Sequence, residues 1–232
     1  MRVHVAFTPD ESAAAPTGVV IDVIRATSTI CQALASGYER VLCAAEVEQA
    51  RALRDADARV TLGGERLGVQ IDGFDLGNSP REYLEPRSPV LVMTTTNGTR
   101  AIVTAAARCE RVLIASLLNL DAVGAAAAEL GDDVAVFCAG VKGAFALDDA
   151  YVAGLLSERL GGERTDAAEA AVRLAHSYAT AEEAFRASRS GRNLINHGPE
   201  LEADIPYCAQ ESVLEVVPQL YGMQGVAAEI AL

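Results

Sequence analysis

Tryptophan is absent from this 232-residue chain, and its five cysteines are widely spaced, with no Cys-x-x-Cys pair. An odd number of isolated cysteines, away from the three histidines, excludes a disulfide framework and a thiolate zinc site. We therefore expect reduced thiols that are buried as small hydrophobic side chains. The five are Cys31, Cys43, Cys109, Cys138 and Cys208.

Long apolar runs are also missing. No uncharged run approaches the ~18 residues that a membrane-spanning helix needs. The first residues, Met1 to Val5, lack the apolar core of a signal peptide. We expect a cytoplasmic protein that has no membrane partner.

Positive charge is scarce, and Lys142 is the only lysine. Lys and Arg number 19 against 32 Asp and Glu, so the formal net charge is −13. Such a chain has no broad cationic surface for a phosphate backbone, which excludes non-specific nucleic-acid binding. Any anion site must be built from arginine, backbone N–H groups and hydroxyls.

Several catalytic signatures are absent. The sequence has no P-loop, GxGxxG, HExxH or GxSxG motif. No cysteine is followed six positions later by arginine, as a thiolate phosphatase requires, and Asp22-Val23-Ile24 lacks the second aspartate of a DxD nucleophile pair. The chemistry must rest on other groups.

Half of the residues are hydrophobic, enough for an extensive core at this length, and no linker divides residues 1–232, so we expect one domain. Short β-branched runs at 19–23, 41–43, 59–62, 90–94, 112–115 and 134–138 predict buried strands. Helices are predicted over 27–36, 47–56, 99–108, 121–130 and 148–160. This alternation is typical of an α/β fold, a three-layer α/β/α sandwich with a mostly parallel or a mixed sheet and ligands at the carboxyl ends of its strands.

The last third of the chain is less regular. The Ala-rich residues 165–189 predict one or two exposed helices, Gly191-Arg192-Asn193 is expected to end them, and residues 226–232 are expected to form a last strand. The small side chains suit close packing in a homodimer, although core packing explains them equally well.

A first candidate site follows the strand at 19–23. Asp22 lies at the strand end, and Arg25, Thr27 and Ser28 follow where a helix N-terminus would expose unpaired N–H groups. Together they suit an anion site. In the alternative interpretation, Asp22 bonds its own loop and Thr27 is an ordinary N-cap.

A second candidate is Thr94-Thr95-Thr96-Asn97-Gly98-Thr99-Arg100. Its hydroxyls and amide can line a pocket, and the glycine lets backbone N–H groups approach an oxyanion. Arg100 would lie in the first helical turn. Threonine capping and a simple Asn-Gly turn are the alternative.

A third candidate is a glycine-rich loop that carries Glu65, Asp72 and Asp75, a set that suits an oxygen-ligated cation such as Mg²⁺. Asn78 and Ser79 follow it. Ser79 with the next proline is also a plain helix start, which leaves the clustered acids unexplained.

A fourth segment, 136–149, ends in Asp148 and Asp149. We expect Asp148 to cap the next helix, whereas Asp149 could face a metal ion. The lone Lys142 could reach an anionic substrate or remain in solvent as a loop lysine.

In this order and spacing, five stretches resemble the 2-phosphosulfolactate phosphatase family: VVIDVIRATSTI, GGER with GFDLGNSP, TTTNGTRA, CAG with ALDDAYVAG, and SGRNL with DIPYCAQ. They cover most of the chain. The resemblance implies an α/β/α fold and Mg²⁺-dependent hydrolysis of a phosphate monoester on a 2-hydroxy carboxylic acid, which gives sulfolactate and phosphate in coenzyme M biosynthesis. The partner would be a small anionic phosphorylated hydroxy acid.

The residues and the resemblance together give a hypothesis for the site. Asp22, Glu65 and Asp75 hold Mg²⁺, Arg25 and Arg100 clamp the anion, and Asp149 is the general base. A non-catalytic binder of small anionic metabolites is the alternative, because it would keep the arginines and hydroxyls without needing the acids. The residues expected to contact substrate are Thr27, Ser28, Asn78, Ser79, Thr96, Asn97, Gly98, Thr99 and Arg100.

Overall fold

A computed structural model describes residues 1–232. The protein has an α/β fold with an 11-stranded sheet and helices packed on it. The strands are β1 (Arg2–Ala6), β2 (Thr17–Ile21), β3 (Arg40–Ala44), β4 (Val60–Arg66), β5 (Val69–Gln70), β6 (Val90–Thr94), β7 (Arg111–Ala115), β8 (Val134–Cys138), β9 (Glu163–Arg164), β10 (Gln219–Gln224) and β11 (Ala227–Ala231). The helices are α1 (Ala26–Ala35), α2 (Val47–Ala56), α3 (Gly98–Ala106), α4 (Leu120–Leu130), α5 (Leu147–Leu160), α6 (Asp166–Ala175), α7 (Ala181–Ala187), α8 (Arg189–His197), α9 (Pro199–Glu202) and α10 (Asp204–Cys208).

The sheet is mixed, with two parallel groups joined by an antiparallel hairpin. Its strand order is β5-β4-β6-β3-β11-β10-β7-β2-β8-β1-β9. Strands β4, β6 and β3 pair in parallel, as do β7, β2, β8 and β1. The hairpin β10–β11 lies between the groups, with β11 antiparallel to β3 and with β10 meeting β7 only at Gln219 and Leu113. The C-terminal residues thus complete the middle of the sheet.

Helices cover both faces of the sheet, because successive strand residues point to opposite sides. Val19 and Ile21 of β2 pack in a buried cluster with α4, α5 and α6. Val20, between them, packs in a second cluster with α1 and α3. A third cluster joins α2 to β3, β4 and β6. The helices on one face, the sheet, and the helices on the other face form three layers, which confirm the predicted α/β/α sandwich.

The five helices predicted between residues 27 and 160, and the six predicted strands, all form, with ends that differ by a few residues. The 165–189 region forms α6 and α7, and the last strand is β11. The expectation for residues 191–193 is wrong: they do not end the helical region, because α8 runs through them. Gly191 serves close packing instead, since a Cβ there would lie 1.9 Å from the carbonyl oxygen of Phe185.

All five cysteines are free thiols, and four are buried. Cys109 is the partly exposed one. None of the helices is long and apolar enough to cross a membrane.

Candidate active site

A cavity of about 170 Å³ lies where the residues after β2, β4, β6 and β8 meet α8. The carboxyl ends of the strands therefore form the site, as the fold class predicts. The predicted residues that line it are Asp22, Arg25, Glu65, Asn78, Thr96, Asn97 and Asp149, together with Lys142. Helix α8 adds Arg189, Ser190, Asn193 and Leu194.

Asp22 lies at the end of β2, in the turn that leads into α1. Its backbone N–H donates to Thr27 Oγ1 at 3.1 Å, and its Oδ1 lies 3.4 Å from the backbone N of Ala26. Only 7% of the residue is exposed. Burial, followed by the negative charges of Asp148 and Glu65, raises the pKa of Asp22 to about 7. The site therefore holds a carboxylate that would gain from a nearby cation.

Glu65 ties together two loops that form the cavity wall. Its Oε2 accepts the N–H of Gly68 at 2.7 Å, and its Oε1 accepts the N–H of Thr96 at 2.8 Å. Each carboxylate oxygen still has lone-pair capacity, because an ionised carboxylate offers about four acceptor sites. Glu65 can therefore organise the loops and also face a cation.

The Asp148 and Asp149 pair is buried at the start of α5. Asp148 does not cap the helix as expected, since the N-cap position is Ala146 and both acids lie in the first turn. Asp149 Oδ1 accepts the N–H of Val23 at 2.9 Å, and its Oδ2 accepts the N–H of Gly140 at 3.0 Å. Asp149 thus joins the loops after β2 and β8.

The pKa values of these two acids are raised. Burial raises the pKa of Asp148 to about 6. The pKa of Asp149 lies well above its ordinary value because of burial and then the charges of Asp148 and Asp22. Asp148 Oδ1 is buried without a hydrogen-bond partner. Asp22, Glu65 and Asp149 form the floor of the cavity, and repulsion among them and from the neighbouring Asp148 contributes to the raised pKa values of Asp22 and Asp149.

Arg25 is the buried cation beside these acids. Its Nη1 donates to Asp204 Oδ2 at 2.8 Å and its Nη2 to the carbonyl oxygen of Gly68 at 2.8 Å. Asp204 is fully buried and also accepts from Ser79 Oγ at 2.5 Å and from Arg81 Nη1 at 3.4 Å. A guanidinium has five N–H donors, so Arg25 retains donors for a ligand.

Several predicted contact residues are used inside the fold. Ser28 Oγ donates to the carbonyl oxygen of Val23 at 2.7 Å, Thr27 accepts from Asp22, and Ser79 holds Asp204. Thr99 is buried. These side chains shape the loops and do not line the cavity.

Three other residues predicted to contact substrate, Arg100, Gly98 and Asn78, lie in different environments. Arg100 is exposed and paired with Asp10, so the structure does not place it as a clamp. Gly98 lets α3 approach the site, since a Cβ there would lie 2.6 Å from Ala26 Cβ and 3.0 Å from Asp22 Oδ2. Asn78 lines the cavity, and its Oδ1 is buried without a partner.

Asp75 is not brought to the cavity with Asp22 and Glu65. Its carboxylate pairs with Arg54 and accepts the N–H of Leu62 at 2.8 Å. It therefore holds its own loop against β4 and α2. The structure corrects the expected three-acid set to Asp22 and Glu65, with Asp149 nearby.

A divalent cation fits this corrected set. The protein contains no cluster of three or more His, Cys, Asp or Glu side chains arranged as a complete metal cage. Mg²⁺ does not require one, because it is commonly held by one or two carboxylates, waters and substrate phosphate. The mutual repulsion of the acids and the unpartnered Asn78 Oδ1 are the features that a cation would relieve. Asp22 and Glu65 are the residues that would hold it.

Sequence reasoning missed Asp204 and the contribution of α8. Both lie in stretches, DIPYCAQ and SGRNL, that carry the family resemblance, and that was their only signal. No spacing rule connects Arg25 with an acid 179 residues away.

The fold and the site define an α/β protein with a buried acidic floor and an arginine at the carboxyl ends of its strands, which suits a small anionic ligand. Residues 4–222 match the family model described as 2-phosphosulpholactate phosphatase. The chain belongs to this family of phosphoric monoester hydrolases.

Curated relatives are similar over nearly their whole length. A protein of Thermus thermophilus is 43% identical over 235 residues, covering 98% of each chain. One of Symbiobacterium thermophilum is 43% identical, covering 90% of this chain and 93% of its own. One of Carboxydothermus hydrogenoformans is 36% identical, with 97% and 95% covered. Each is named probable 2-phosphosulfolactate phosphatase.

Proposed function

We propose that this protein is a Mg²⁺-dependent phosphatase that hydrolyses 2-phosphosulfolactate, or a related 2-phosphohydroxycarboxylic acid, to the hydroxy acid and phosphate. The observation that carries the proposal is the meeting of Asp22 and Glu65 with Arg25 in one cavity. Acids that repel one another suit a cation, and the arginine suits a phosphate. Family membership gives the reaction class.

Asp22 and Glu65 would hold Mg²⁺, which supplies charge neutralisation at the phosphate oxygens when bound. Arg25 binds the phosphate through the N–H groups that Asp204 and Gly68 leave unused. Asn97, at the N-cap position of α3, lines the same cavity and can donate a further hydrogen bond through its amide. These contacts orient the ester for attack by water.

In the hydrolysis itself, a water oxygen bonds to phosphorus as the bond from phosphorus to the ester oxygen breaks. Asp149 takes the proton of the water, and the proton returns to the leaving alkoxide, so charge and atoms balance. Asp149 lines the same cavity, and an ionised carboxylate at hydrogen-bonding distance from the attacking water can act as its general base. Phosphate monoesters hydrolyse very slowly without a catalyst, so positioning and charge neutralisation have most of the work to do.

A panel of substrates tests the proposal. Phosphate release is measured from phosphosulfolactate, phospholactate, phosphoglycolate and phosphomalate, with and without Mg²⁺. We expect Mg²⁺-dependent release, fastest with one of the 2-phosphohydroxycarboxylates. Full activity after exhaustive EDTA treatment would show that the reaction does not need the metal.

The non-catalytic binder is the second candidate. Glu65 and Asp149 each use both carboxylate oxygens to accept backbone N–H groups, which is also what a purely structural acid would do. Calorimetry that detects binding of these phosphohydroxyacids, with no turnover under any metal condition, would favour that candidate.

A further inference from the structure

The cavity has a floor and a rim of opposite charge. On the floor, Asp22, Glu65 and Asp149 are each less than a tenth exposed. On the rim, Lys142 and Arg189 are exposed and line the same cavity. A ligand that fills the cavity therefore contacts both buried acids and exposed cations.

The side chains of Lys142 and Arg189 differ from those of every other lysine or arginine in the protein, because their charged groups make neither an ion pair nor a hydrogen bond. Arg25 is paired with Asp204, and Arg192, which follows Arg189 closely on α8, donates to the carbonyl oxygen of Ala187. The remaining arginines each contact a carboxylate or a carbonyl oxygen. In a chain of net charge −13, carboxylates are abundant, so two unpaired cations at one cavity point to a negative group that comes from outside.

The backbones that carry these two cations are fixed from different parts of the fold. The N–H of Lys142 donates to Asn97 Oδ1 at 3.1 Å, which ties the loop after β8 to the start of α3. Arg189 begins α8, whose N-terminus is capped where Ser188 Oγ accepts the N–H of Gly191 at 2.9 Å. The rim therefore presents two charges from anchored backbone positions.

We propose that Lys142 and Arg189 bind the sulfonate of the substrate and so determine its specificity. This inference rests on the proposed function, in which the phosphate occupies the floor beside Arg25. A sulfonate is ionised at every physiological pH and offers three acceptor oxygens. The planar donor fork of arginine and the ammonium of lysine match such a group, as they match phosphate and carboxylate groups.

Two substrates that differ only in the sulfonate test the assignment. In 2-phospholactate a methyl group replaces the sulfomethyl group of 2-phosphosulfolactate. For Arg189→Ala and for Lys142→Ala, we expect kcat/KM with phosphosulfolactate to fall about tenfold or more, mainly through KM, as loss of a charged hydrogen bond predicts. With phospholactate we expect little change. Arg189→Lys should restore part of the loss.

Arg192→Ala is the matched control, since it removes an exposed arginine of the same helix that does not line the cavity. It should leave both substrates unaffected. Equal losses on the two substrates, or no loss, would overturn the inference while leaving the phosphatase function in place.

If the wild-type protein releases no phosphate from either substrate, the proposed function fails, and calorimetry decides the inference separately. Sulfolactate should then bind more tightly than lactate, and Arg189→Ala should remove that difference. Equal affinities of the wild-type protein for sulfolactate and lactate would overturn the assignment.

Discussion

At the scale of single residues, the clearest dependence is that of Arg25 on Asp204. The ion pair between them is almost completely buried, and Asp204 also satisfies Ser79 and Arg81. Burying a guanidinium without a partner is costly, and breaking such a pair typically destabilises a protein by about 3–5 kcal/mol. Asp204 is therefore a positioning residue that acts through Arg25.

For Asp204→Asn we expect a loss of several kcal/mol of unfolding free energy, measured by urea denaturation, and a fall in kcat for phosphate release in the folded fraction. Arg81→Ala is the control, because Arg81 is partly exposed and contacts Asp204 only at 3.4 Å. It should cost about 1 kcal/mol or less. Equal effects of the two variants would contradict the role given to Asp204.

Ionised Asp22 destabilises the folded protein, whereas Asp204 stabilises it. Its folded-state pKa of about 7 lies above its ordinary value of 3.8, so ionisation lowers stability as the pH rises from about 4 to 7, and the loss is constant above that. In metal-free protein, Asp22→Asn should raise Tm at pH 8 by several degrees, at about 2–4 °C per kcal/mol. The gain should disappear toward pH 4.

Thermal denaturation of the metal-free wild-type and Asp22→Asn proteins across this pH range is the measurement. A lower Tm for the variant at pH 8 would contradict the picture of Asp22 as a repelled, buried acid.

At the scale of elements, close packing against α7 fixes the position of α8, which forms part of the cavity wall. Gly191 has no room for a Cβ, which would lie 1.9 Å from the carbonyl oxygen of Phe185. Gly191→Ala must push α8 away from α7, and with it Arg189 and Asn193. We expect a loss of about 2 kcal/mol or more in stability, in the range of overpacked sites, and a higher KM.

Gly124→Ala in α4 is the control for this substitution. A Cβ there would meet its nearest neighbour, Arg159 Cβ, at an ordinary 3.5 Å. Alanine is favoured over glycine in a helix by up to about 1 kcal/mol, so this variant should be neutral or stabilised. Urea denaturation measures the unfolding free energy of both variants. If Gly191→Ala were as stable as Gly124→Ala, Gly191 would not be needed for close packing.

The elements that follow local pattern could be predicted from the sequence, and those that depend on distant contacts could not. Helix α2 is predicted with its observed bounds, because Val47 to Ala56 is amphipathic and preceded by Glu46. The strand β10 is missed because its Tyr-Gly-Met-Gln sequence has no apolar alternation, and a register shift interrupts its pairing after Leu220.

The residues of the candidate site fall into the same two groups, those that local sequence pattern predicts and those that depend on distant contacts. Asp22, Arg25 and Glu65 lie at strand ends, where parallel topology brings polar residues together. Their residue types and their positions along the chain are therefore enough to predict that they meet in one cavity. Asp75 also lies in a loop after a strand, but a local arginine, Arg54, engages it. The pairing of Arg25 with Asp204 spans most of the chain, and no local pattern contains it.

At the scale of the whole molecule, net charge and local charge have separate consequences. A net charge of −13 opposes binding to polyanions, yet the cavity at the carboxyl ends of the strands combines buried acids with Arg25, Lys142 and Arg189. A divalent cation on the floor would relieve the repulsion among the acids throughout the folded state. Binding of such an ion therefore links the site to global stability.

We expect millimolar Mg²⁺ to raise the Tm of EDTA-treated protein, since a ligand at 100 times its Kd stabilises by about 2.7 kcal/mol. The same addition should not raise the Tm of Asp22→Asn, whereas Asp75→Asn should respond as the wild type does. Differential scanning calorimetry at fixed ionic strength measures this. A Mg²⁺ shift that survives Asp22→Asn would place the ion elsewhere.

Whether Asp22 holds a catalytic metal ion is tested by the rate of phosphate release from 2-phosphosulfolactate. Wild-type protein and folded Asp22→Asn are each assayed after EDTA treatment and again after Mg²⁺ is restored. The wild type should lose activity with the metal and regain it when Mg²⁺ is restored, whereas Asp22→Asn should stay slower than the metal-restored wild type by orders of magnitude in both conditions. Wild-type rates from folded Asp22→Asn would contradict this role of Asp22.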